Sequence, residues 1–479
     1  MEIEYLHNLE SVPLAAIVKE EYRIYQIYTL MDRAIPYLRD GLKPGQRRIL
    51  YTLYKNQSKG LVKVSAATGL VLTLHPHGPA SIESTIVNLA QDYTFSNNYP
   101  LIEKKGYFGE RMETAPAAGR YIECKLAKIA EYILFDDMNQ VQMVPNYDET
   151  VMEPVSLLPK LPLMLLNGSE GIGTGFSSAI PSFHHKDICA SMISIVQTGK
   201  PKKISPYVHY YSEKIQNDKG KFIFPIRIEE ISGKIVITEL PRGYDATKTY
   251  RYLTKHIDND YIKDFIDSSV DNLVHIELIF KRGAQPSLNE VRSKMGIVSS
   301  LSPNYTLISE RGVKIFKKPE EILEIFTEQR LVVVKTRYEL LSEEYKNKIR
   351  QNNEIIKFIK NKEYIAATKS ANRKTFVEYL TKKKYFYSDY LADMPIYRMT
   401  KEEVSKRALM VKEDTAKLKE FQKIAGSTKL IKKKLVEELT EVSAKLTDWM
   451  KLKDAKRKEL YKKLEKTGKK ASKKKTKKR

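Results

Sequence analysis

Residues 117–123 read Ala117-Ala118-Gly119-Arg120-Tyr121-Ile122-Glu123. A tyrosine beside an arginine, set just ahead of an amphipathic helix, is a candidate nucleophile toward phosphate. The chain holds thirty tyrosines, and most tyrosines are half-buried packing residues, so the case for Tyr121 rests on its company. Phosphodiester cleavage by a phenol requires that its pKa near ~10 be overcome, that cations hold the phosphate, and that the leaving oxygen be stabilised. Arg120 supplies one cation by adjacency.

Further cations lie upstream, in Asp32-Arg33-Ala34-Ile35-Pro36 and in Arg39-Asp40-Gly41-Leu42-Lys43-Pro44-Gly45-Gln46-Arg47-Arg48. Their glycine and proline punctuation predicts a shaped loop and not a solvated helix face. His75-Pro76-His77-Gly78 precedes Pro79, a residue suited to the first helical position. The basic loop, the paired histidines and this helix N-terminus can converge on one anion. The alternative for His75 and His77 is a structural or zinc-binding pair, and nearby cysteines or a suitably spaced third ligand are missing.

Around this stretch the chain reads as short helices, over Val62–Leu72 and Pro79–Asp92. In the second, Ile82, Ile86 and Leu89 share one face and Ser81, Ser84 and Asn88 another. Two helices and an irregular loop resemble a helix-turn-helix or winged-helix unit. Behind Tyr121, Leu126, Ile129, Ala130 and Ile133 are spaced as a buried helical stripe. Beyond Pro145 the apolar period becomes two, over Phe222–Ile228, Ile235–Leu240 and Val274–Phe280. This mixed α+β region ends near Pro319. From Glu320 the chain turns helical, with a long charged helix over Ile322–Ile359 and an irregular segment near Tyr385–Met399. Then Ile431, Leu435, Leu439, Val442, Leu446 and Trp449 recur at coiled-coil intervals. The expectation is a stalk with a tip that dimerises, against a monomeric helical hairpin.

A net charge of +24 and a pI near 9.5 point to a polyanionic partner, nucleic acid before membrane. Residues 451–479 carry +13 of that charge and are expected to form a disordered basic tail in non-specific DNA contact or a solvated one. Two isolated cysteines, Cys124 and Cys189, fit a reducing compartment. The longest apolar stretch, Val155–Leu166, is broken by Pro159, Lys160 and Pro162, and the N-terminus lacks a basic segment followed by an apolar run. No membrane span or secretory signal is expected, and a cytoplasmic location is the reading.

Arg33-Ala34-Ile35-Pro36, Arg39 through Arg48, His75-Pro76-His77-Gly78, Gly106-Tyr107-Phe108-Gly109 and Ala117 through Tyr121 together resemble the ordered signatures of type IIA DNA topoisomerases. They are similar to the breakage-reunion chain of those enzymes, the A subunit of DNA gyrase and C subunit of topoisomerase IV. The similarity continues through Pro145-Asn146-Tyr147-Asp148, Asn167–Pro181 and Met394–Lys401. The resemblance implies that Tyr121 is the nucleophile, ending as a 5′-phosphotyrosine, and that Arg120 binds the scissile region. It implies that Arg33, Arg48 and His75 stabilise the phosphate or assist proton transfer, and that Lys43, Arg47 and His77 contact the DNA backbone. Ile172 matches the apolar wedge that bends the duplex; a core isoleucine in a tight turn is its alternative.

The implied architecture is α+β: a winged-helix DNA-cleavage domain with an N-terminal arm (1–145), a mixed α/β tower domain (146–319), a long antiparallel coiled coil with a globular dimerisation tip (320–452), and the basic tail (453–479). Gly45-Gln46-Arg47 follows eukaryotic type II enzymes, where bacterial counterparts carry a histidine. No nucleotide-binding Gly-x-x-x-x-Gly-Lys-Ser/Thr is present, and Asp258-Asn259-Asp260 ends a predicted helix and reads as a surface turn. The resemblance therefore implies magnesium and ATP held by a separate polypeptide with TOPRIM and ATPase domains, a homodimer on double-stranded DNA, and relaxation and decatenation without a C-terminal wrapping domain. Such a split, eukaryote-leaning chain resembles the medium subunit of T-even-type bacteriophage topoisomerases. The competing readings are a non-catalytic DNA-binding coiled-coil scaffold and, more remotely, a tyrosine recombinase or type IB enzyme.

Overall fold

The computed structural model describes residues 14–284 and 286–476. Chain contacts divide it into two compact units, one formed by residues up to Gln329 with those from Glu438, the other by Arg330–Glu437.

The first unit opens with α1 (Leu14–Thr29), which runs into a five-residue π-turn, Leu30–Ala34. Next comes α2 (Pro44–Lys55), started by its proline and by Gln46, whose side chain accepts from the Lys43 backbone N–H at 3.0 Å. The residue that departs from the bacterial pattern is thus a helix cap. Three strands, β1 (Val62–Lys63), β2 (Ile102–Lys105) and β3 (Glu123–Leu126), form an antiparallel sheet in the order β1-β3-β2. The helices α3 (Val64–Val71), α4 (Pro79–Ala90) and α5 (Lys128–Leu134) accompany it. On α4, Ile82, Ile86 and Leu89 are buried and Ser81, Ser84 and Asn88 exposed, the faces the periodicity predicts.

Two local expectations are corrected. The predicted helix over Val62–Leu72 begins as a strand, because Val62 and Lys63 pair with Cys124 and Glu123. Likewise Leu126 lies on β3, where Cys124 and Leu126 alternate inward, and the helix starts only at Lys128. Sheet pairing between distant segments overrides a locally helical stripe.

After β4 (Met143–Pro145) and β5 (Met152–Pro154), the apolar stretch Val155–Leu166 becomes core, with Leu157, Leu161, Met164, Leu165 and Leu166 buried, the last three on α6 (Leu163–Leu166). Among the described residues no helix is long and apolar enough to cross a membrane. The hairpin β6 (Ser169–Ile172) and β7 (Ser177–Ile180) follows, then α7 (His185–Thr198).

Further on lie β8 (Gln216–Asp218), β9 (Lys221–Pro225), β10 (Arg227–Ile231), β11 (Lys234–Glu239), α8 (Ala246–Asp258), β12 (Asp264–Asp267), β13 (Ile276–Ile279), α9 (Leu288–Met295), β14 (Val298–Leu301), and the hairpin β15 (Tyr305–Ser309) with β16 (Gly312–Phe316). Strands β10-β11-β13-β12 make a four-stranded sheet over a core that includes Ile228, Ile237, Leu253, Ile276 and Val291. The single strand expected over Phe222–Ile228 is two strands in different sheets. Pro225, which has no N–H to donate, marks where the chain changes partners, from β14 to β11. Asp258 ends α8, and Asp260 pairs with Lys281 in an exposed turn.

The helix α10 (Pro319–Lys360) spans the predicted long helix. In the second unit, α11 (Arg373–Lys382) and α12 (Ser388–Ala392) close over a core of Ile355, Phe358, Phe376, Leu380, Tyr385, Leu391 and Met394. A further long helix, α13 (Lys401–Ala425), escaped the pattern reading because only Ile424 along it is buried, which leaves no apolar stripe to recognise.

The last helix, α14 (Thr428–Thr476), buries Ile431, Leu435, Leu439, Val442 and Leu446. From Glu438 onward this helix packs within the first unit: Thr447 Oγ1 lies 2.9 Å from His185 Nε2, and Trp449 packs 6.3 Å from the Tyr99 ring. The expected tail boundary at 453 is corrected as well. Lys453 donates to Asp92 at 3.0 Å, and Arg457 grips Asp271 with bonds of 2.6 and 3.0 Å, so these cations belong to the folded body. The backbone stays helical to Thr476; Lys477–Arg479, the end of the expected tail, lie outside the described residues.

Replacing Arg457 with alanine removes two charge-assisted bonds to the partly buried Asp271 and is expected to lower the unfolding free energy by roughly 1–3 kcal/mol, measured by urea melts. An unchanged midpoint would return residues 453–459 to the solvated tail.

Candidate active site

The segment leading to Tyr121 is a turn-rich loop held at several points. Gly109 has a φ of +88°, and a Cβ there would lie 2.4 Å from the Thr114 carbonyl oxygen, so only glycine fits. Arg111, 3% exposed, donates to the Tyr244 carbonyl and, at 3.1 Å, to those of Leu240 and Pro241. Gly119 N–H donates to Glu83 of α4 at 2.9 Å, and Val64 N–H to the Ile122 carbonyl at 3.0 Å. The chain alternates on entering β3: Ile122 is buried while Tyr121 stands 65% exposed, with the Arg120 guanidinium 4.7 Å from its ring centroid. The phenol is therefore open to a ligand and accompanied by a cation.

The second cluster lines a cleft of about 860 Å³ that includes Arg33, Lys43, Gln46, His75, His77 and Ser81. Arg33, on the π-turn, approaches the two ring nitrogens of His77 at 3.3 and 3.1 Å. The His75 and His77 rings meet edge to face at 4.8 Å, and Arg48 Nη1 lies 3.4 Å from His75 Nδ1. Burial, then the charges of Arg48, His77 and Arg33, pushes the His75 pKa down to about 4. At neutral pH the ring is uncharged and offers a proton acceptor or donor, not a cation. His77 is lowered for the same first reason, with Arg33 next.

Other predicted residues have partners within the chain. Arg47, expected at DNA, is 6% exposed and bound to the fully buried Asp40 at 2.6 and 3.2 Å, with its guanidinium 4.8 Å from the Tyr37 ring centroid. Successive helical residues point about 100° apart, so of the Arg47-Arg48 pair Arg48 turns toward His75 while Arg47 turns toward Asp40. Arg48 itself is neutralised by Glu153, through bonds of 2.6 and 2.9 Å. Lys43, also expected at DNA, donates to the Glu170 carbonyl at 2.6 Å. Ile172 ends β6 with 91% of its surface exposed, which removes the core-isoleucine alternative. Tyr121 is not among the residues lining the cleft; within one chain, the phenol and the histidine–arginine cluster are joined through α4, whose N-terminal turn borders the cleft and whose Glu83 holds the tyrosine loop, and through α3, which binds Ile122 by Val64 and His75 by Val71.

Sequence reasoning missed Glu153, Glu83 and Arg111. Glu153 lies 105 residues from Arg48, and no local spacing marks such a pairing. Among the described residues no group of three or more His, Cys, Asp or Glu is arranged to hold a metal ion.

A family model that describes the A subunit of DNA gyrase/topoisomerase IV matches residues 33–440. The chain belongs to that family. It is 31% identical over 367 residues to the mitochondrial DNA topoisomerase 2 of Dictyostelium discoideum, and 27% identical over 467 residues to the DNA gyrase A subunit of Kosmotoga olearia. These matches cover 74% and 89% of this chain but only 28% and 57% of those relatives. A crystal structure of the Plasmodium falciparum topoisomerase II DNA-binding, cleavage and re-ligation domain is similar with a TM-score of 0.75 and 25% identity, over 89% of this chain and 64% of that one. The matched segment of the gyrase A family thus contains the cleft, the tyrosine loop and the exposed isoleucine.

Arg47→Ala leaves Asp40 charged and buried and is expected to cost about 3–4 kcal/mol of stability, seen in urea melts, whereas a pure DNA contact would leave the melt unchanged. A pH series gives a second check. His75 and His185, the latter held by burial to about 3, take up protons in the unfolded chain near 6.5 but resist them when folded. Their stabilisation is complete above about pH 6.5 and is lost as pH falls toward 4. His75→Gln is expected to flatten that decline, and a His75 NMR titration midpoint near 6.5 would contradict it.

Proposed function

We propose that this chain is the DNA cleavage and religation subunit of an ATP-dependent type IIA topoisomerase, with Tyr121 as its nucleophile. The observation that carries the reading is the exposed Tyr121 phenol beside Arg120, on a loop clamped by Glu83 and Arg111. The similarity to a solved cleavage and re-ligation domain supports it.

In the proposed reaction the Tyr121 oxygen bonds to phosphorus, the bond from phosphorus to the 3′ oxygen breaks, and a 5′-phosphotyrosyl link remains. The phenol gives up its proton and the leaving 3′ oxygen gains one. Arg120 holds the phosphate beside Tyr121, and the cleft bearing Arg33 and neutral His75, which Tyr121 does not line in one chain, is brought to the same phosphate when two copies assemble on the duplex, His75 retaining a ring nitrogen for proton transfer. Religation reverses each exchange, since the phosphotyrosyl bond conserves the phosphodiester's free energy.

Near the cleft, Glu153 is engaged by Arg48 and Asp40 by Arg47, which leaves Asp32 as the nearby carboxylate. These residues do not compose a magnesium site, so the proposal places the ion in the partner's TOPRIM domain, where bound magnesium stabilises the leaving oxygen. ATP is assigned to the partner's ATPase region.

In the same proposal, α3, α4 and the β1-β3-β2 sheet act as the winged-helix reader of DNA, and His77 contacts the backbone. Ile172 is the wedge. Double-strand passage requires two copies, whose two-fold axis matches that of the duplex. Exposed apolar side chains of the second unit, Ile396 at 82%, Tyr397 at 71% and Leu409 at 64%, favour dimerisation there, through the proposed coiled-coil gate. Relaxation and decatenation are the proposed outcomes, in the cytoplasm, and the medium subunit of a T-even-type phage enzyme is the proposed counterpart.

The test is Tyr121→Phe, assayed with the ATPase/TOPRIM partner present and with rapid detergent denaturation. Wild type is expected to yield DNA covalently attached by its 5′ end to the peptide containing residue 121. The variant is expected to bind DNA normally and lose cleavage by about 10⁴-fold or more. Normal cleavage by the variant would leave the DNA-binding scaffold as the better reading, and a 3′ attachment would indicate type IB chemistry.

A further inference from the structure

The hairpin that presents Ile172 makes almost no room for adjustment. A Cβ on Gly171 would lie 1.9 Å from the Ala34 carbonyl oxygen, and one on Gly173 would lie 2.5 Å from Leu30 Cδ2 and 3.1 Å from Ala34 Cβ. Both glycines therefore exist to seat β6 and the hairpin tip directly on the π-turn Leu30–Ala34. That same turn carries Arg33 toward the cleft, where it meets His77.

Two cations also pin the hairpin at Glu170. Lys43 Nζ donates to the Glu170 carbonyl at 2.6 Å, and Arg242 pairs with the Glu170 carboxylate. Arg242 sits in the loop after β11, next to Gly243 with its φ of +78°. Arg111 donates to the Leu240 and Pro241 carbonyls of this loop at 3.1 Å. One short loop thus receives the anchor of the tyrosine-bearing segment and sends out the anchor of the isoleucine hairpin.

We infer that Arg242 is a positioning residue: through Glu170 it locks the hairpin onto the Leu30–Ala34 turn, so that insertion of Ile172 into DNA and placement of Arg33 at the phosphate become a single concerted adjustment. The physical reason is the lack of slack. Backbone-to-backbone contact at Gly171 transmits displacement instead of absorbing it, and without the Glu170–Arg242 pair β6 keeps the Lys43 bond to Glu170 while β7 stays hinged on Asn304, which exchanges backbone bonds of 2.9 and 3.0 Å with Ala179. Force on the wedge then tilts the hairpin and does not unstack the base step. This inference rests on the wedge role of Ile172 given under the proposed function.

The experiment measures bending and cleavage separately, with the full chain and a duplex carrying donor and acceptor dyes at its ends, and cleavage with the ATPase/TOPRIM partner included. Arg242→Ala is expected to bind DNA with the wild-type salt dependence, to reduce the bent fraction about tenfold, and to slow cleavage in parallel. The tenfold change corresponds to about 1.4 kcal/mol. Arg242→Glu is expected to be worse, and the reversed pair Glu170→Arg with Arg242→Glu to recover bending; this rescue separates positioning from misfolding. If Arg242→Ala lowered the slope of log affinity against log salt by about one, Arg242 would be a phosphate contact and the inference would be wrong. Wild-type bending by Arg242→Ala, or no rescue by the reversed pair, also overturns it.

Controls keep the two proposals apart. Tyr121→Phe is expected to bend DNA without cutting it, so loss of the nucleophile assignment leaves the bending result intact. Should Ile172→Ala lose bending while Arg242→Ala keeps it, only the inference fails. Should Ile172→Ala bend DNA fully, the wedge role and the inference fail together while the Tyr121 assignment stands.

Discussion

A buried carboxylate organises the basic loop. Asp40 has no exposed surface and accepts bonds from the backbone N–H groups of Leu42 and Leu157 and from both arms of the Arg47 fork. An ionised carboxylate out of water is tolerated only when its lone pairs are this fully occupied. Its position therefore fixes where the loop ends and α2 begins. From that start, Lys43 turns toward the hairpin and Arg48 toward His75, and the rest of the cleft is arranged around directions set by this ion pair.

Neutralisation is the theme of the cleft as well. Arg33, Arg48 and two histidines crowd one wall, an arrangement of like charges that would repel if all were protonated. The fold resolves this by pairing Arg48 with Glu153 and by burying His75 until its proton is released. What remains on that wall is the exposed Arg33 beside neutral imidazoles. Such a site avoids the heavy self-repulsion of a purely cationic patch, and it keeps a proton acceptor beside the exposed guanidinium.

The same logic reassigns part of the net charge. Lys453 and Arg457 belong, by composition, to a basic run that reads as solvated, yet Asp92 and Asp271 draw them into the body. Asp92 sits just past α4, and the backbone N–H of Asp271 donates to Glu110 in the loop before Tyr121. Charge on this chain is therefore not a measure of DNA contact residue by residue, even though its total points to a polyanion.

Periodicity and motif order alone settle several features: the inward face of α4, the long α10, the mixed α+β middle, and the grouping of Arg33 with His75 and His77. Each depends on neighbours within a few residues or on motifs met in order, where helical and strand repeats and glycine or proline constraints act. Sheet partners, the split at Pro225, the burial of Arg47, the Glu153 and Glu83 anchors and the docking of the end of α14 were decided only in three dimensions. Each arises because a charge or a strand edge must find a partner, and that partner lies far along the chain, where no local spacing records it.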